Sequence, residues 1–207
     1  MNFLRFSAGI KSLSLGILLL ALMGCSNLGG PVQKQSVVNR DNTQLEIYIE
    51  KNMAFISGVL GSDLPDQLSE MVRQSPNVQT LVLVDIPGSI DQEATMQAAR
   101  LIRRLGLNTH IARTGYVLSG GVDLFLGGVK RSIGAGAGVG VHSWLDQLGI
   151  DPKELNLADP IHATYVNFYL EMGVPERFYW FSLDAAPAER IYFMSPEEIY
   201  DFQIATD

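Results

Sequence analysis

Leu118-Ser119-Gly120-Gly121, followed by Gly138-Val139-Gly140-Val141-His142, decides how this chain is read. The first stretch sets a Ser at the mouth of a small-residue turn. The second ends a short β-compatible run in a His, 23 residues further on. A hydroxyl becomes a useful nucleophile only when a base can take its proton, so the pair matters only if folding brings it together. Ser is also a favoured N-cap, and Ser119 can serve the helix that follows in that way alone. A helix start suits either role, because its free N–H groups and dipole also stabilise a developing oxyanion.

The surroundings alternate between strand and helix signals. Thr80 to Asp85 is apolar and β-rich, the pattern of a strand buried on both faces. It runs into Ile86-Pro87-Gly88-Ser89, where Pro fixes φ and Gly frees the next residue, so backbone N–H groups are exposed in a turn. Asp91 to Leu105 carries Ala94, Ala98, Leu101, Ile102 and Leu105 at helical spacing, with Gly106 as the stop. Thr109 to Ala112 reads as the next strand. Leu124 to Leu126 continues a buried helix that begins at Ser119. Upstream, Leu45 to Glu50 and Met53 to Val59 read as paired strands, and Leu64 to Gln74 as a helix opened by Asp63. Downstream, Pro152 to Met172 reads as one or two helices, interrupted near Pro160. Ile191 to Met194 and Phe202 to Ala205 read as short late strands around Ser195-Pro196-Glu197-Glu198, a helix start with a capping Ser. This alternation predicts an α/β fold with a largely parallel sheet.

The order of these pieces resembles the superfamily of the Clp-protease proteolytic subunit and the crotonases, closest to an extracytoplasmic, periplasmic branch. Pro87-Gly88-Ser89 falls where that family has Pro-Gly-Gly, Ser119-Gly120-Gly121 on its nucleophile turn, and Gly140-Val141-His142-Ser143 on the strand with its catalytic His. The resemblance implies a crotonase-like spiral of βαβ units over residues 44–207. It implies Ser119 as nucleophile, His142 as base, an oxyanion hole from the Gly88-Ser89 turn and Gly120, and no cofactor. Ser89 departs from the second Gly, and no unmistakable Asp stands at the third triad position. Asp159, Glu171 and Asp184 are the candidates. The family's Asp lies somewhat upstream of its late helix, which selects Asp184; a Ser–His dyad is the alternative.

The other histidines read as structural. His110 sits mid-strand, and His162 lies on a helix as a surface or packing residue. Three scattered His without HxH or HExxH spacing give no metal site. Gly134-Ala135-Gly136-Ala137-Gly138 lacks the Gly-Lys-Ser/Thr ending of a phosphate loop. Tyr165, Phe168, Tyr169 and Met172 share a helical face, followed by Phe178-Tyr179-Trp180-Phe181. These read as core or, by the resemblance, as a homo-oligomer interface or a substrate-facing wall.

The N-terminus has its own signal. Arg5 and Lys11 precede an apolar run from Leu13 to Met23 that is short for a membrane span. Leu22-Met23-Gly24-Cys25 then looks like a bacterial lipobox. Residues 1–24 are thus expected to be a signal peptide, Cys25 the lipidated first residue, and 25–43 a polar tether. Cys25 is the single cysteine, so no disulfide forms within one chain. Ser26 points to the outer membrane, facing the periplasm, with lipid as the link to the bilayer. Removing Arg5 and Lys11 leaves 13 basic residues against 22 acidic ones, a formal charge of −9. That balance argues against nucleic-acid binding. Two function classes remain: a lipid-anchored serine hydrolase acting on peptide or ester bonds, and a non-catalytic envelope protein that keeps the fold for interaction. An acyl-CoA enzyme fits poorly, because CoA is not expected outside the cytoplasm.

Overall fold

The computed structural model describes residues 45–145 and 149–206. The expected signal peptide, Cys25 and the tether lie outside the described residues. The described elements run β1 (Glu46–Glu50), β2 (Met53–Ser57), α1 (Leu64–Gln74), β3 (Thr80–Ile86), α2 (Gln92–Arg104), β4 (Asn108–Leu118), α3 (Gly120–Leu126), β5 (Arg131–Ile133) and β6 (Gly138–Val141). After a 3-10 turn at Pro152–Glu154 come α4 (Pro160–Glu171), α5 (Arg177–Ala185), β7 (Tyr192–Phe193) and α6 (Pro196–Asp201).

The strands form one mixed sheet in the order β1-β2-β3-β4-β6-β7, with β5 also on β4. Its centre is parallel, and both edges, β1 on β2 and β7 on β6, are antiparallel. Parallel neighbours need a crossover, and α1, α2 and α3 supply those that lead from β2 to β5. The fold class is therefore the expected α/β type. β3 is buried on both faces, with Leu81, Val82, Leu83 and Ile86 in the core, as its unbroken apolar run requires. α2 opens with Asp91, whose carboxylate accepts from the Ala94 N–H at 3.0 Å. Its buried Ala94, Ala98 and Ala99 allow a close neighbour: a Cβ at Gly127, just past α3, would fall 2.6 Å from the Ala99 carbonyl oxygen.

β4 is longer than the expected Thr109 to Ala112. Its first half pairs with β5 and its last three residues with β6. Thr114 takes φ 57°, the β3 register shifts between Leu83 and Asp85, and the strand then carries on to Leu118. A Cβ on Gly115 would meet the Val84 carbonyl oxygen at 2.3 Å, so this bend needs a residue without a side chain. The continuation delivers Ser119 to the sheet's edge of strand ends.

One other expectation is corrected. Phe202 to Ala205 is not a strand. Phe202 closes α6, and Gln203 turns at φ 57°. Phe178 to Phe181 lies on α5, and Arg131 to Ile133, given no element from sequence, is a strand. Arg131 is buried and donates to four carbonyls: Ile204 at 2.7 Å, Gln203 at 2.8 Å, Met172 at 3.0 Å and Gly128 at 3.5 Å. Burial and the neighbouring Arg103 lower its pKa to about 10.

Candidate active site

Ser119 stands between β4 and α3 in a conformation that L-residues rarely adopt, φ 54° and ψ −129°. Such a backbone costs about 1–3 kcal/mol and persists only where the surroundings impose it. Here the Ser119 N–H donates to the Gly140 carbonyl at 2.9 Å, tying it to β6. Its side chain makes no capping hydrogen bond to α3. The capping role, open from sequence, is therefore not the one it plays; Ser119 sits on a strained strand-to-helix turn and lines two cavities.

The Pro87-Gly88-Ser89 turn meets it. Gly88 has φ 147°, and a Cβ there would lie 3.5 Å from Ser119 Cβ and 3.9 Å from its Oγ. A Cβ on Gly120 would fall 2.5 Å from Ser89 Cβ. Gly120 must be glycine because a Cβ would collide with Ser89, and Gly88 because its φ of 147° is one that L-residues rarely adopt. The segment around Leu60 fixes the first turn from behind: its N–H donates to the Gly88 carbonyl, and its carbonyl accepts from Ile90. In a trans peptide the C=O and N–H point opposite ways. With the Gly88 carbonyl held on Leu60, the Ser89 N–H points away from that segment. Gly120 is the first residue of α3, whose leading N–H groups have no intrahelical acceptor.

His142 follows directly on β6, half-buried. β6 pairs Gly140 with Leu118 in parallel register, so His142 and Ser119 emerge at the same end of the sheet. Both line an outer cleft of about 710 Å³ together with Ser89, Ile90, Gln92, Trp144, Leu145, Asp159 and Tyr165. Both also line a smaller inner cavity of about 50 Å³. The Trp144, Tyr165 and Tyr179 rings stack at the border, with centroids 5.4 and 5.3 Å apart. Five of the expected residues are thus brought together: Gly88, Ser89, Ser119, Gly120 and His142.

Asp184 is not. It sits exposed on α5 and lines neither cavity. Glu171 pairs with Arg100 at the surface, and Asp159 caps α4 by accepting from the Ile161 N–H at 3.0 Å. His142 Nδ1 is buried and has no hydrogen-bond partner among the described residues. The sequence-based choice of Asp184 as orienting acid therefore lacks a geometric basis. The remaining histidines are structural: His110 Nδ1 meets Ser132 Oγ at 2.8 Å, and His162, buried, meets the Tyr179 hydroxyl at 2.8 Å.

Sequence reading missed Asp123. It lies one turn into α3, 5% exposed, and lines the inner cavity. Gln92 Nε2 donates to its Oδ2, and the Tyr169 hydroxyl is a second donor. Burial pushes its carboxyl up from 3.8 to about 6, against the opposing pull of those two hydrogen bonds. A carboxylate inside Val122-Asp123-Leu124-Phe125-Leu126 was the available signal, because Asp is almost never fully buried unless paired. Gln92, at the start of α2, lines both cavities. Among the described residues no group of three or more His, Cys, Asp or Glu could hold a metal ion, and no helix is long and apolar enough to cross a membrane.

Comparison with solved structures agrees with this architecture. A mutant form of ClpP1 from Listeria monocytogenes matches with TM-score 0.53 at 17% identity, over 75% of this chain and 89% of that one. A Streptomyces coelicolor A3(2) protein assigned as an enoyl-CoA hydratase matches with TM-score 0.50 at 17% identity, over 86% and 71% of the two chains. The fold is therefore that of the Clp proteases and crotonases. No family model and no curated protein matches the chain.

Two outcomes follow from the geometry. At a positive φ, Gly is unstrained and Ala is not, so Ser119→Gly should be more stable than Ser119→Ala by about 1 kcal/mol. Urea unfolding of the two variants measures this, and equal midpoints would contradict the strain. Asp123 gives a pH effect. Its folded carboxyl holds a proton more tightly than the unfolded one. The resulting stabilisation is complete below about pH 3.8 and is lost as pH rises through about 6. Asp123→Asn removes that dependence. Relative to the parent protein it should gain about 1.4 kcal/mol between about pH 5 and about pH 8. A stability difference independent of pH would contradict the buried, titrating carboxyl.

Proposed function

We propose that this chain is a lipid-anchored serine hydrolase of the cell envelope, acting on peptide or ester bonds through Ser119 and His142. The observation that carries the reading is Ser119 itself: a strained, uncapped Ser at a helix start, against the Gly88-Ser89 turn and in one cleft with His142. The ClpP-like fold supports a peptidase-like protein, and the open cleft, rimmed by exposed Ile90 and Leu145, suits an extended substrate.

In this reading Ser119 Oγ adds to the substrate carbonyl carbon while its proton passes to His142. With Nδ1 buried, Nε2 is the nitrogen that takes it. The carbonyl π-pair moves onto oxygen, and the Ser89 and Gly120 N–H groups hold the charge. Collapse expels the amine or alcohol, which leaves with the proton from His142. Water then repeats the cycle on the acyl-enzyme and releases the acid. Among the described residues no acid is bonded to His142 Nδ1, so the pair is read as a dyad. Making the orienting Asp of a serine protease neutral lowers kcat by about 10⁴, so slow turnover is expected and covalent labelling is the more sensitive assay. The orphaned Nδ1 also favours the second reading, a non-catalytic interaction protein on the same fold. Cys25 carries the anchor, outer-membrane placement follows from Ser26, and self-association through the aromatic C-terminal helices belongs to the same proposal.

A fluorophosphonate probe should label the full-length protein at Ser119. Its fluoride leaves as Oγ bonds to phosphorus. Ser119→Ala should abolish labelling and lower any hydrolysis by at least ~10³-fold. No labelling, or labelling that survives the substitution, would leave the interaction reading in its place. For the anchor, Cys25→Ala should shift the protein from the membrane to the soluble fraction or stall its processing. Normal processing and membrane recovery of that variant would remove the lipoprotein assignment.

A further inference from the structure

The inner cavity begins where the outer cleft ends. Gln92, Ser119, His142, Trp144 and Tyr165 line both spaces. A carbonyl carbon attacked by Ser119 sits at that border, one or two bonds from the inner space. Each water-sized occupant needs about 10–15 Å³, so a cavity of about 50 Å³ admits roughly three or four heavy atoms. That excludes aromatic, Lys and Arg side chains. Gly120 and Val122 form part of the near wall, and Tyr165, Tyr169, Phe178 and Tyr179 the aromatic remainder.

The occupant must also suit Asp123, the one carboxylate among the described residues of the lining. Gln92 and Tyr169 occupy part of its hydrogen-bonding capacity; an ionised carboxylate has about four lone-pair sites. A buried carboxylate facing a cavity therefore favours a ligand that donates. A methyl group there would strip it of water and return nothing, which makes an aliphatic occupant costly. A hydroxyl donates and also accepts, and His142, with its buried, unpartnered Nδ1, lines the same cavity. An ammonium can only donate.

We propose that the inner cavity is the subsite for the side chain next to the attacked carbonyl, that it selects a small hydroxyl-bearing residue, Ser or Thr, and that Asp123 reads the hydroxyl. Asp123 is thus a specificity-determining residue. The assignment rests on the hydrolase reading above. The raised pKa of the carboxyl leaves it ionised at neutral pH, in the state that accepts. Gln92, held by Asp123 at the border of the two spaces, keeps the carboxylate directed and separates it from the outer cleft.

The test uses Thr against Val, which have nearly the same shape. Ser119 of the full-length protein is labelled by a fluorophosphonate in the presence of N-acetyl-threoninal, N-acetyl-valinal or N-acetyl-phenylalaninal. In each competition Ser119 Oγ adds to the aldehyde carbon, and the hydroxyl proton passes through His142 to the former carbonyl oxygen, giving a reversible hemiacetal. A site built to pair a hydroxyl rejects the analogue lacking it, whereas an apolar pocket discriminates weakly. Threoninal should therefore inhibit at concentrations at least ~10-fold lower than valinal, and phenylalaninal should be the weakest. Asp123→Leu, checked for folding by its melting transition, should shrink the Thr preference to within about 3-fold. If that variant does not fold, the comparison in the unsubstituted protein decides alone. Labelling of Ser119 with valinal equal to or better than threoninal, or with no aldehyde competing, overturns the subsite and leaves the hydrolase reading intact. Absence of labelling at Ser119 removes both.

Discussion

Everything at the site depends on two turns approaching closer than a side chain on Gly120 would permit. Gly120 lies against Ser89, and Gly88 against Ser119, at separations where a Cβ on Gly120 would collide outright. The contact is imposed from both sides. Behind the first turn, Leu60 grips Gly88 and Ile90 through backbone hydrogen bonds; behind the second, Gly140 on β6 holds the Ser119 N–H. The strain at Ser119 is the local cost of closing that gap, and the parallel sheet, with its hydrogen bonds on both sides of β4, provides the rigidity that keeps it closed.

Asp123 shows a second balance. Desolvation outweighs the hydrogen bonds from Gln92 and Tyr169, so its carboxyl titrates near neutrality rather than well below it. A residue that only filled space in α3 would be cheaper as Leu or Met, like its neighbours Leu124 and Phe125. Its polar partners come from α2 and α4, so three elements that enclose the inner cavity meet on one carboxylate. The aromatic stack at the border is tied in its turn through the Tyr179 hydroxyl, which meets His162 Nδ1 at 2.8 Å.

How much of this was legible in the sequence varied with the physics behind each element. α1 and α2 were legible because amphipathic spacing, a leading Asp and small helix formers all agreed, and β3 because burial on both faces leaves an unbroken apolar run. β4 was read short because Arg113-Thr114-Gly115 interrupts its pattern; the strand bends there without ending. Phe178 to Phe181 has no polar face to give a helical period, so α5 looked like an undivided aromatic cluster. Phe202 to Ala205 has strand composition, yet it continues from α6 through a left-handed Gln203. At the site, the two glycine turns, Ser119 and His142 were legible because each marks a local backbone demand. Asp184 was chosen by order along the chain, and an orienting contact is a matter of distance in space. Asp123 went unread because an Asp inside an apolar helix was absorbed into the apolar pattern.

Arg131 has a consequence in time. Its buried guanidinium pairs with no carboxylate among the described residues and donates to carbonyls, two of which belong to Gln203 and Ile204, more than 70 residues later. During synthesis β5 is made long before those acceptors exist. Until residue 204 has left the ribosome, Arg131 must stay hydrated, and the sheet beside β4 cannot close over it. Met172, at the end of the helix that carries Tyr165 and Tyr169, shares the same guanidinium. One guanidinium thus ties β5 to the end of that helix and to the turn after α6, segments far apart along the chain.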